Sequence, residues 1–125
     1  MVGEAVEKLI RAEAESDALH EYLGSRGRHG ASIVAAVEVP RAIGPNDPEA
    51  AARVGATLRH IHLVELDRAI VGRAAVVGPG PLRTLDAIHL ATALELGSDL
   101  DALVTYDGRL ADAARALGIS VISPS

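Results

Sequence analysis

The chain has 125 residues, a formal net charge of -5 and 49% hydrophobic residues, which suits one domain with a real core. It has no Cys, no Phe and no Trp, which excludes a disulfide framework and a thiolate metal site and argues against an aromatic stacking platform for single-stranded nucleic acid. No apolar stretch approaches the roughly 20 residues that a membrane helix needs, and Glu4, Glu7 and Lys8 interrupt any leader-like run, so a soluble cytoplasmic protein is expected.

Glu4 to Leu23 reads as an amphipathic helix, with Val6, Leu9 and Ile10 on one side and Leu19, Tyr22 and Leu23 further along. Gly24 marks its end, and Gly24 to Gly30 is a basic loop. Ala31 to Ile43 reads as a short strand running into a helix. Pro40 is expected in the first helical turns, where its missing donor costs least. Gly44 to Pro48 is a turn. Asp47 is the expected N-cap of a helix over Glu49 to Leu58, with Pro48 at the first helical position.

Ile61 to Leu66 reads as a strand, and Asp67 as the cap of a helix over Arg68 to Val77. Gly78-Pro79-Gly80-Pro81 is the strongest break in the chain; no Lys and Ser/Thr follow it, so it is no phosphate loop. Thr84 to Leu96 is apolar around most of its girth and should be a buried helix. A short buried strand over Ala102 to Thr105, a helix over Gly108 to Leu117 ended by Gly118, and a final strand over Ile119 to Ile122 complete the pattern. Strands separated by helices predict an α/β fold with a mostly parallel sheet, whose sites lie at the carboxyl ends of the strands.

Acidic residues fall at those ends, in three segments: Ser32-Ile33-Val34-Ala35-Ala36-Val37-Glu38, Leu82-Arg83-Thr84-Leu85-Asp86-Ala87-Ile88-His89-Leu90-Ala91, and Leu103-Val104-Thr105-Tyr106-Asp107-Gly108-Arg109-Leu110. In order and spacing they resemble the PIN domain of VapC-type toxin ribonucleases, over Lys8 to Pro124. The resemblance implies a single PIN-like domain over residues 1–125, three layers deep, with a parallel central sheet flanked by helices. It implies an RNA endonuclease that uses Mg²⁺ or Mn²⁺ and serves as the toxin of a type II toxin–antitoxin system. A VapB-type antitoxin, an RNA substrate and a homodimer are the implied partners. By motif position, Glu38, Asp86 and Asp107 match three of the family's four acids, and Thr105 matches a hydroxyl residue just before the last one.

Carboxylates suit such a site because Mg²⁺ prefers hard oxygen ligands, and packed acids repel one another without a cation. Plainer roles stay open: Asp86 as a residue favouring a helix start, Asp107 as an N-cap, Glu38 as a solvated helix residue. His89, three residues beyond Asp86, is expected to pack the helix. His60 and His62 are expected to share one face of a strand as surface or packing residues. Arg26, Arg28, Arg41, Arg83 and Arg109 are candidate phosphate contacts, Arg83 and Arg109 being nearest the proposed ligands. Counting back from Lys8, Val2 falls where the family's first acid stands and Glu4 where its Ser stands, so the first strand is expected to be absent or altered. A second reading follows: an impaired or inactive PIN-like domain that still binds an antitoxin or RNA.

Overall fold

The computed structural model describes residues 16–24, 29–78 and 82–125. The expectations that rest on Val2, Glu4, Glu7, Arg26, Arg28 and the break at Pro79 to Pro81 lie outside them.

The described elements run in the order α1 (Ser16–Gly24), β1 (Gly30–Ser32), α2 (Ala35–Ile43), α3 (Pro48–Arg59), β2 (His62–Val64), α4 (Arg68–Ala74), α5 (Thr84–Leu96), a 3-10 turn (Gly97–Asp99), β3 (Leu103–Val104), α6 (Gly108–Ala116) and β4 (Val121–Ile122). β1 pairs with β2 in parallel, Ala31 opposite Leu63. β3 pairs with β4 in parallel, Leu103 opposite Val121. Among the described residues these are two separate parallel pairs, with no ladder from one to the other.

Successive strand residues point to opposite faces, and β3 shows what that does here. Val104 enters an apolar cluster with Leu19 of α1, Val39 and Ile43 of α2, and Ala50 and Val54 of α3. Its neighbour Leu103 enters another cluster, with Leu90 and Ala93 of α5 and Leu110, Ala113 and Ala114 of α6. Helices therefore pack on both faces of β3, in keeping with the α/β fold that the sequence predicts, while the expected single central sheet is two parallel pairs among the described residues.

The helices form where local chemistry dictates. The Asp47 carboxylate accepts the Ala50 N–H at 3.0 Å and starts α3, with Pro48 at its first position. The Asp67 carboxylate accepts the Ile70 N–H at 2.9 Å and starts α4. In α3, Ala50 and Val54 are buried one turn apart, with Leu58 packed against the same cluster. Gly118, at φ 81, occupies the left-handed conformation that lets the chain leave α6 and return to β4.

Several boundaries differ from the sequence expectation. α4 stops at Ala74 rather than Val77, because the Val76 N–H turns back to the Arg73 carbonyl in a tightened last turn. Only His62 to Val64 of the expected Ile61–Leu66 strand is paired, because β1 offers three residues to pair with; Leu66 is exposed. Pro40 sits at the sixth residue of α2, past the first turn, and denies the Ala36 carbonyl its usual N–H partner.

α5 is buried at Ala87, His89, Leu90, Ala91, Thr92 and Ala93, as its all-round apolar sequence requires. Leu90 is fully buried while Leu85 is 42% exposed. In urea denaturation, Leu90→Ala should cost about 2–5 kcal/mol. Leu85→Ala should cost under about 1 kcal/mol. Equal losses would contradict the packing assigned to α5.

Candidate active site

β1 ends at Ser32, whose buried hydroxyl accepts the Val34 N–H at 3.3 Å and turns the chain into α2. α2 buries Ala35, Val39 and Ile43 along one stripe. Glu38 flanks that stripe in the first turn of the helix, where the dipole favours a carboxylate. Its side chain is 23% exposed, at the rim of the core rather than in open solvent.

The partner of Glu38 comes from α5. His89 Nε2 lies 2.5 Å from Glu38 Oε1, across 51 positions of sequence. An ionised carboxylate only accepts, so the imidazole Nε2–H donates. His89 is thus a packing residue, as expected, but it also seizes one of the proposed ligands. The signal was in the sequence: a polar ring in a helix apolar on every side must find a polar partner.

Asp86 stands one turn before His89, on the same side of α5. It lies in the first turn, and Arg83 occupies the cap position without a side-chain capping bond. Burial pushes the Asp86 carboxyl above its ordinary range; Asp107 pushes the same way, His89 and Arg83 pull it back, and Glu38 adds a smaller push. The charges of Asp107 and Glu38 therefore both bear on Asp86.

Asp107 follows β3 at the carboxyl end of the strand pair. Its Oδ1 accepts the Arg109 N–H at 2.8 Å and the Leu110 N–H at 3.2 Å, so it is the N-cap of α6. The capping role is therefore real, and it uses one oxygen; Oδ2 stays outside the cap. Thr105 fixes this turn: its buried hydroxyl accepts the Asp107 N–H at 3.1 Å, and its carbonyl accepts the Ser123 hydroxyl at 2.5 Å.

Three acids from three segments thus bear on one region, together with His89 and Arg83. Arg109 and Arg41 are exposed. His60 and His62 are exposed too, but His60 caps α3 rather than lying on the strand, so the two do not form a strand pair.

The donor chemistry fits a hard divalent cation: the acids offer oxygen, and their mutual repulsion is what a cation relieves. Among the described residues no group of three or more His, Asp or Glu side chains is arranged to hold a metal ion. Mg²⁺ does not require such a group, since it keeps several waters and is commonly held through one or two carboxylates.

The raised Asp86 carboxyl has a consequence for stability. The folded state holds this proton more tightly than the unfolded chain does. Its stabilising share is fully present at acid pH, below the ordinary carboxylate range, and is lost as the pH rises through the raised value. In metal-free buffer, Asp86→Asn should therefore melt higher than the parent chain at neutral pH. The gap should close on acidification. A gap that is constant from acid to neutral pH in thermal melts would contradict the burial and crowding that raise the Asp86 carboxyl.

Comparison with known proteins shows the family. The PIN domain family model matches residues 5–116. The chain is 47% identical over 122 residues to Ribonuclease VapC46 of Mycobacterium tuberculosis strain H37Rv, covering 97% of this chain and 93% of that protein. It is 46% identical over 124 residues to Ribonuclease VapC35 of M. tuberculosis strain CDC 1551, covering 96% and 92%. It is 34% identical over 125 residues to Ribonuclease VapC47 of the same strain, again covering 96% and 92%. With helices on both faces of its parallel strand β3 and Asp107 shortly after it, the chain belongs to the PIN domain family.

Proposed function

We propose that this chain is a VapC-type ribonuclease: an RNA endonuclease, the toxin of a toxin–antitoxin pair, using a divalent cation held by Glu38, Asp86 and Asp107. The electrostatic influence of Asp107 and Glu38 on Asp86, in a chain whose relatives are named ribonucleases, supports the reading. Mg²⁺ or Mn²⁺ is the cation that suits them, and when bound it supplies Lewis acidity toward a phosphate oxygen and toward water.

The protein's own residues do the arranging. Thr105 and the α6 N–H groups pin Asp107 in one orientation, leaving Oδ2 for the site. Glu38 is pinned by His89 and keeps Oε2 outside that contact. Asp86 sits at the positive end of the α5 dipole. With an overall charge of -5, attraction for RNA must be local, and Arg83 and Arg109 are the cations nearest the acids in sequence. A VapB-type antitoxin covering the acidic site is the partner that silences it, and a homodimer is the expected assembly. The cytoplasm is where it would act; among the described residues no helix is long and apolar enough to cross a membrane.

Cleavage of structured RNA with Mg²⁺ or Mn²⁺, followed on gels, tests this directly. Activity should vanish with EDTA. Asp86→Asn and Asp107→Asn should each lower kcat/KM by more than the roughly 100-fold that marks loss of a supporting residue. Asn keeps the α6 cap, so Asp107→Asn should stay folded. Undiminished cleavage in EDTA would overturn the cation's role. RNA binding without cleavage under either cation would instead mark an inactive PIN domain.

A further inference from the structure

His89 is the buried titratable group that the reading above does not use. Its side chain is 2% exposed, and Nε2 meets Glu38 Oε1. Its other nitrogen, Nδ1, is buried with no hydrogen-bond partner. A ring kept for packing alone would not be left this way, because an unsatisfied buried polar atom costs stability that Leu or Met at the same place would avoid. The ring spends its one polar contact on a carboxylate that reaches in from another helix.

We propose that His89 is a positioning residue: from the rigid, buried α5 it holds the Glu38 carboxylate in a single orientation toward the cation site. The inference rests on the metal-site reading given above. Glu38 is a long side chain at the rim of the core, and unpinned it would sweep several rotamers. Donation from Nε2 to Oε1 removes that freedom and leaves Oε2 to face the cation. His89 and Asp86 lie one turn apart on α5, so one helix carries one acid and fixes the direction of another. The bond plays the part that outer partners play around metal ligands generally, orienting a ligand without touching the metal.

The test uses the full chain with His89→Gln, which keeps an N–H donor, and His89→Met, which fills the space without one. Mn²⁺ affinity is read from the electron paramagnetic resonance signal of free Mn²⁺, and folding from metal-free thermal melts. His89→Met should raise the Mn²⁺ Kd about 10–100-fold while staying folded, and His89→Gln should stay within about threefold of the parent. In a Glu38→Ala background, His89→Met should have no further effect, because the histidine acts through that carboxylate. Should His89→Met not fold, His89→Asn, whose amide falls short of Glu38, replaces it with the same expected loss. Unchanged Mn²⁺ affinity in a folded variant without the donor overturns the proposal, as does an equal loss with Gln and Met. A parent chain that takes up no Mn²⁺ overturns the metal-site reading itself, and this inference with it.

Discussion

One contact ties two of the acidic segments together: the hydrogen bond from His89 to Glu38. It joins α2, which leaves the end of β1, to α5, which packs against β1 and α4. Without it, Glu38 would be a rim carboxylate on a helix whose buried stripe is Ala35, Val39 and Ile43. With it, that carboxylate is referred to the same helix that carries Asp86. The layers make the contact possible. Strand residues that alternate between two apolar clusters leave helices on both faces, and the three acids lie at or near the starts of helices.

Gathering acids has an energetic cost, and the local structure offsets part of it. Asp107 accepts two helix N–H groups, and Asp86 and Glu38 each occupy the first turn of a helix, where the dipole favours negative charge. Arg83 and His89 lower the repulsion further. Burial, with a further push from Asp107 and Glu38, still leaves the Asp86 carboxyl raised. A raised carboxyl beside other acids is the kind of perturbation that marks a candidate functional site. The structural role of Asp107 leaves room for the proposed ligand role, since the cap of α6 takes Oδ1 alone.

Much of the architecture was readable from the chain. α5 matches its expected span, Thr84–Leu96, because an apolar run of that length between a Gly-Pro break and Gly97 has few other solutions. The caps Asp47 and Asp67 were readable because an acid one or two residues before a helical stretch has one obvious use. Strand lengths were not. A strand ends where its partner runs out, and β2 stops with β1 although Leu66 would continue the pattern. The end of α4 was hidden for a related reason, since a tightened last turn leaves no mark in residue type.

The site was readable as residue types in family-like segments, and unreadable as contacts. Glu38, Asp86 and Asp107 were visible as acids, but nothing in their spacing says that Glu38 meets His89. That pairing depends on how α2 and α5 pack, which no local pattern encodes. The direct test of the central claim, that these three acids serve one cation, is paramagnetic broadening of backbone amide signals in a Mn²⁺ titration of the isotope-labelled chain. At substoichiometric Mn²⁺, the account predicts that signals around Glu38, Asp86 and Asp107 fade together and first. Fading centred on other acids, such as Asp99 or Asp112, with those three regions untouched, would contradict it.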